Sequence, residues 1–135
     1  MASTFRLQVV TPLGMMVDNE VESCIVRTTE GDLGILKGHA DYMAAVDVGQ
    51  VRVKSENGYR TAAATEGFVQ VSGNAVKVVV TTFEWANEID VSRAQNAKER
   101  ASADLEKAQS DERKQLAKFR LRKAKNRLRI AGEQS

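Results

Sequence analysis

The chain has little of what most catalytic sites are built from. Its 135 residues include one cysteine, Cys24, and one histidine, His39. A lone cysteine excludes an internal disulfide and makes a reducing compartment the default. No His, Cys, Asp and Glu fall together at metal-ligand spacing, so no metal site is expected. No serine or cysteine has a recognisable base in its local sequence, so catalysis by this chain alone is not expected. There is no run of about 18 apolar residues to form a membrane-spanning helix. The opening Met1-Ala-Ser-Thr-Phe-Arg6 has no apolar signal region. Internal repeats and low-complexity linkers are also missing. A cytosolic protein, or one peripheral to something larger, is expected.

What is present divides at the stretch Glu84 to Arg100. Before it lie short β-branched runs broken by glycine turns. After it lies an alanine-rich, strongly charged sequence with no glycine until Gly132. The length suits one compact domain with an appendage. Asp90 is a good helix N-cap, able to accept from the free amides of the first turn at the positive end of the helix dipole. Ile89, just before the cap, is placed to pack back onto Ala94.

In the first part, Phe5-Arg-Leu-Gln-Val9 alternates as a half-buried strand does, and Thr11-Pro-Leu-Gly14 reads as a turn. Val21–Thr28, Val46–Lys54, Tyr59–Ala64, Phe68–Val71 and Val76–Thr81 read as further strands. Asn57-Gly58 and Gly73-Asn74 supply hairpin turns. Many short strands without a long helical pattern predict an antiparallel β-sandwich or flattened barrel. Cys24, beside Ile25 in one strand, reads as a small buried hydrophobe. Glu30-Gly-Asp-Leu-Gly-Ile35 with Gly38-His39 lacks the spacing of a phosphate loop. It reads as a glycine-shaped connection offering acidic and histidine side chains to a partner.

In the second part, Ala94, Ala97, Ala101, Leu105 and Ala108 form one helical stripe, and Ala117, Leu121, Ala124, Leu128 and Ala131 another. Ser110 and Asp111 are the candidate caps between them. An antiparallel helical hairpin is predicted. Each alanine methyl contributes only about 0.8 kcal/mol when buried. The helices should form readily and the hairpin should be held weakly, as a tail that opens.

Charge separates the two parts. Residues 1–89 carry 7 Lys/Arg against 11 Asp/Glu, and residues 90–135 carry 13 against 7. Different partners are expected for the acidic head and the basic tail. Arg113, Lys114, Lys118, Arg120, Arg122, Lys123, Lys125, Arg127 and Arg129 run without an intervening acid. Nine mutually repelling cations exceed what solubility needs and point to an anionic partner. Nucleic acid, anionic lipid, nucleotide phosphate and an acidic helix all fit. Phe119 alone interleaves with them, which weakens a single-strand nucleic-acid reading.

Four motifs occur in order: Glu30-Gly-Asp-Leu-Gly-Ile35, Gly38-His39-Ala40, Gly67-Phe-Val-Gln-Val71 and Ile89-Asp-Val-Ser-Arg-Ala94. In order and spacing, over essentially the whole chain, they resemble the ε subunit of bacterial and chloroplast F-type ATP synthases. The chain departs from that family's usual residues at Lys37, Asp41 and Glu66. The resemblance implies a sandwich of about ten strands in residues 1–86, binding the rotor, and a regulatory helical hairpin in 87–135. It implies a non-catalytic subunit of the central stalk of a proton-translocating synthase. The implied partners are γ, the c ring and, through an extended tail, the catalytic α and β subunits. The implied location is the cytoplasmic or stromal face of the energy-transducing membrane, reached only through the complex.

The resemblance also assigns residues. Asp32, Gly38 and His39 correspond to rotor contacts. The run Arg113, Lys114, Lys118, Arg120, Arg122, Lys123 and Lys125 corresponds to an inhibitory face that restrains ATP hydrolysis. Family members that bind ATP as a regulatory ligand place it on positions matching Glu84, Ile89, Asp90, Arg93, Arg100, Lys123 and Arg127. Lys123 stands where most of that group have arginine, keeping the charge but losing the fork. No cofactor is required. The alternative reading is a β-sandwich module whose basic tail binds nucleic acid.

Overall fold

The computed structural model describes residues 3–132, which divide after Trp85 into two compact units. Nine strands are present among the described residues, where about ten were expected. They are β1 (Phe5–Thr11), β2 (Gly14–Val21), β3 (Ser23–Thr28), β4 (Gly31–Leu36), β5 (Tyr42–Ser55), β6 (Gly58–Ala64), β7 (Gly67–Ser72), β8 (Ala75–Val80) and β9 (Phe83–Trp85). The strand order is β2-β1-β8-β7-β5-β3-β4, with β6 and β9 continuing from β5. The long β5 belongs to both layers of the sandwich: Tyr42–Val46 pairs with β7, and Gly49–Ser55 pairs with β6. Pairing is antiparallel except between β1 and β8, which run parallel.

Alternation explains the core. Along β1, Phe5, Leu7 and Val9 point inward, while Arg6 is exposed. They meet Val69, Val71, Val76 and Val78 from their own layer and Cys24, Val26, Val51 and Ala62 from the other, in one buried cluster. Each fully buried Val, Leu or Phe side chain contributes about 1.5–3 kcal/mol. Cys24 is part of this core, and burial pushes its thiol up to about 12.

The structure corrects two readings of the head. The Glu30–Ile35 motif is not only a connection: Gly31–Leu36 forms edge strand β4, hydrogen-bonded along β3. At the β5–β6 hairpin the two turn residues are Glu56 and Asn57, and only Gly58 takes positive φ, at 101°. Asn57 therefore does not share that conformation; the glycine alone absorbs the reversal, as in a turn closed by a glycine bulge.

The second unit is a helical hairpin. α1 (Val91–Lys107) starts where Asp90 Oδ1 accepts from the Arg93 amide at 3.1 Å. α2 (Asp111–Gly132) starts where Ser110 Oγ accepts from the Arg113 amide at 3.2 Å. Ser110, rather than Asp111, is thus the second cap. Ala94 and Ala101 on α1 are buried, as are Ala117 and Ala124 on α2. Seven-residue spacing keeps each pair on one face of its helix. Ile130, outside the predicted stripes, is also buried, whereas Ala131 is only half-buried.

Candidate functional site

The two helices enclose a groove of about 400 Å³ lined by Ala97, Arg100, Ala101, Asp104, Arg120, Lys123, Ala124 and Arg127. Its floor is alanine because α1 and α2 face each other with small residues. Its walls are cationic because charged residues stand one helical turn from those alanines. Three of the residues assigned to ATP, namely Arg100, Lys123 and Arg127, line this groove. Lys123 places its Nζ 4.8 Å from the Phe119 ring centroid, a cation–π contact within one turn of α2. Asp104 and Arg120 line the groove too, and sequence reasoning missed Asp104. Its position four residues after Arg100 was the available signal.

The other assigned residues are placed differently. Arg93 is exposed and does not line the groove. The Asp90 carboxylate caps α1, and Ile89 beside it is buried. Glu84 belongs to the first unit, on β9 opposite Ala63 of β6. Of the basic run, Arg113 and Arg120 turn toward the interhelical grooves, while Lys114, Lys118, Arg122 and Lys125 are exposed.

On the head, Asp32 and the Gly38-His39 pair do not form one cluster. Asp32 lies near the start of β4, and Gly38-His39 follows its end. Four residues of extended strand alone separate Asp32 from Leu36 by about 13 Å. Asp32 is gripped by Arg27 of β3: Nε donates to Oδ1 at 2.6 Å and Nη2 to Oδ2 at 3.4 Å. That bond and the carboxylate charge hold the Arg27 guanidinium pKa above its ordinary value. Gly49 makes room for this arrangement, since a Cβ there would stand 2.5 Å from Arg27 Cγ. His39 Nδ1 lies 2.7 Å from the Ala40 carbonyl oxygen, which can only accept, so the proton sits on Nδ1. Asp41 accepts from the Gly73 amide at 3.0 Å and ties this loop to the β7–β8 turn.

One surface was missed by sequence reasoning. Strand register sets Met15 beside Val10, Val10 beside Val79, Val79 beside Phe68, and Phe68 beside Ala45. Their strand neighbours Val9, Val78, Val69 and Val46 are buried, so this row faces outward across five strands. Met15 is 52% exposed, and Leu13 in the adjoining turn is 92% exposed. The next row, Asp18, Gln8, Lys77, Gln70 and Met43, is polar except at Met43, which is 60% exposed. Contiguous outward apolar rows are a common feature of surfaces that meet partner chains. Its sequence signal was apolar residues at consecutive positions, Val9-Val10 and Val78-Val79-Val80, where one-sided burial needs alternation.

Comparison with known proteins settles the class. The family described as the ATP synthase delta/epsilon chain β-sandwich domain matches residues 4–86, and the delta/epsilon chain long α-helix domain matches residues 87–132. An ATP synthase epsilon chain from Alkaliphilus oremlandii is 52% identical over 105 residues, 78% of each chain. The chain belongs to the F-type ATP synthase epsilon family. Another epsilon chain, from Alkalihalophilus pseudofirmus, is 44% identical over 103 residues, 76% of this chain and 77% of its own. Two solved structures contain a chain of this fold. One is the Euglena gracilis mitochondrial ATP synthase OSCP/F1/c-ring assembly, with TM-score 0.81 and 20% identity over 93% of this chain and 80% of that one. The other is the Tetrahymena thermophila central stalk/c-ring, with TM-score 0.68 and 14% identity over 96% and 98%. The nucleic-acid reading of the tail finds no support in these epsilon-family matches.

Proposed function

We propose that this chain is a non-catalytic subunit of the synthase's central stalk, binding γ and the c ring through its head. The observation that carries this reading is the outward apolar row from Met15 to Ala45, a surface suited to a permanent partner chain. The Euglena and Tetrahymena assemblies, one described by its c ring and the other by its central stalk and c ring, support it. The chain reaches the cytoplasmic or stromal face of the membrane only as part of that complex. Among the described residues no helix is long and apolar enough to cross one.

The tail regulates. Extended along γ, its basic face meets an acidic segment of the catalytic subunits and restrains ATP hydrolysis. Folded, it leaves the enzyme free. The groove of Arg100, Lys123 and Arg127 takes the phosphates of ATP and favours the folded state, because ATP bridges cations of both helices that line one groove only when the hairpin is folded.

The experiment is reconstitution of the synthase with head and tail variants. Phe68→Asp places a charge in the middle of the apolar row and should abolish recruitment to γ and the c ring while the isolated head still folds. Removal of residues 88–135 should preserve recruitment and raise ATP hydrolysis. Recruitment of Phe68→Asp at wild-type affinity overturns the head assignment. Wild-type hydrolysis by the truncated complex at every nucleotide concentration overturns the tail assignment.

A further inference from the structure

Methionine is among the residue types most often fully buried. The three methionines among the described residues all stand on the surface of the head instead: Met15 is 52% exposed, Met16 41% and Met43 60%. The buried core cluster is built from valine, leucine, isoleucine, phenylalanine, alanine and Cys24, with no methionine in it. Cys24, the chain's one thiol, is wholly buried there. Among the described residues, an oxidant dissolved in water therefore meets thioethers and no thiol.

Register sets two of them on the proposed rotor face. Met15 opens the apolar row on β2, beside Val10. Met43 lies on β5 beside Gln70, two residues before Ala45 at the far end of that row, so it shares the outward side of the strand. From β2 to β5 is four strand spacings, about 19 Å, and the two methionines bracket the row. The β1–β2 ladder passes from Val10–Met15 to Val9–Val17 and skips Met16, which is the bulged residue there. A thioether is apolar, flexible and polarizable, and suits a surface that a partner covers. Its sulfoxide is polar and chiral. A polar group buried without a hydrogen-bond partner weakens an interface in a way the thioether does not.

We propose that Met15 and Met43 form an oxidation site that governs recruitment of the free chain to the rotor. The inference rests on the reading of the apolar row as the rotor contact. The oxidant is a peroxide. The thioether sulfur attacks the outer oxygen of hydrogen peroxide and the O–O bond breaks. The proton of the transferred hydroxyl moves to the departing hydroxide, which leaves as water. Sulfur gives up two electrons and peroxide accepts them. The oxidised face then presents a sulfoxide oxygen at both ends of the row. Methionine sulfoxide reductases reverse the step. In the assembled rotor the partner covers both thioethers, so the site responds to peroxide only before assembly.

To test this, the full chain is treated with hydrogen peroxide, freed of it, and titrated against the assembly of γ and the c ring. Peptide masses locate the sulfoxides and a melting curve follows the fold. Oxidised wild type should bind about tenfold more weakly or worse, and sulfoxide reductase should restore it. Met15→Leu combined with Met43→Leu keeps the volume and removes both thioethers. That variant should bind within about twofold of untreated wild type and ignore peroxide. Met15→Gln combined with Met43→Gln puts a polar amide in place of each sulfoxide. It should reproduce the loss without any oxidant, so the result stays readable even if peroxide unfolds the head. Full affinity of the oxidised wild type or of the Gln variant would overturn the proposal, as would equal peroxide sensitivity in the Leu variant. Phe68→Asp needs no oxidant and separates this inference from the reading beneath it. If Phe68→Asp abolishes recruitment while the oxidised chain binds fully, the rotor face stands and the oxidation site falls. If Phe68→Asp is recruited at wild-type affinity, the rotor-face reading falls and takes the oxidation site with it.

Discussion

Gly67 lies against the backbone of Val79 so closely that a Cβ would fall on the Val79 carbonyl oxygen and stand 2.8 Å from Val80 Cα. The obstacle is main chain held in the β7–β8 ladder, and it cannot rotate away. Gly67→Ala should therefore destabilise the head by about 3 kcal/mol or more, at the upper end of overpacking costs. Gly34, in the first motif, has no positive φ, and a methyl group added there would meet nothing within 4 Å. Gly34→Ala should stay within about 0.5 kcal/mol of wild type. Chemical denaturation of both variants checks the contrast, and equal stability would refute the steric account of Gly67.

The Cys24 thiol gives stability a defined alkaline dependence. Folded, it stays protonated up to about pH 12; unfolded, it ionises near pH 9. Above pH 9 the unfolded state releases a proton that the folded state keeps. Stability from this group is therefore complete below pH 9 and is lost as pH rises toward 12, by at most about 1.4 kcal/mol per pH unit. Urea midpoints between pH 8 and 11 should fall less steeply for Cys24→Ala than for wild type. Thiol reagents should label Cys24 only on unfolding.

How far the sequence went depended on how local each feature is. The caps Asp90 and Ser110 were legible because a cap is a contact across three residues. β1 was legible because it alternates. β2 and β4 were not: they lie at the two ends of the strand order, and β2 buries only Val17 and Val21 among eight residues. An edge strand with one wet face and glycine in its length leaves no period to read. The parallel pairing of β1 with β8 joins segments about 70 residues apart and has no local sign. Likewise, Arg100, Lys123 and Arg127 came from the resemblance to the epsilon family, whereas Asp104, outside that family's ATP positions, joins the same groove through the register between α1 and α2.

The Arg27–Asp32 pair allows the proposed rotor contact to be tested without unfolding the head. Both side chains are about two-fifths exposed, at 40% and 43%. An ion pair so wetted contributes at most about 1 kcal/mol. Asp32→Ala combined with His39→Ala should lower affinity for the rotor and shift the denaturation midpoint little. A pull-down against γ and the c ring, paired with a melting curve, reads the two effects separately. Unchanged rotor affinity would remove both residues from the interface.

Lys123 offers the sharpest test of the nucleotide groove. Its side chain is half-buried, rests on Phe119 and lines the groove with Arg100 and Arg127. An ammonium acts on phosphate as a point charge, whereas a guanidinium in that position adds a bidentate fork at the same net charge. If the groove holds the ATP phosphates, Lys123→Arg should tighten ATP binding several-fold. Arg100→Gln, which deletes a charged donor, should weaken it by about tenfold, as loss of a charge-assisted hydrogen bond of about 1.5 kcal/mol requires. Both changes keep a good helix former in place, so the helices should be unaffected. The opposite signs matter, because a general loss of hairpin stability would weaken binding in both variants. Calorimetric titration of wild type, Lys123→Arg and Arg100→Gln with ATP decides it. Absence of heat from the wild type at millimolar ATP would leave these cations as the walls of a groove that takes no nucleotide.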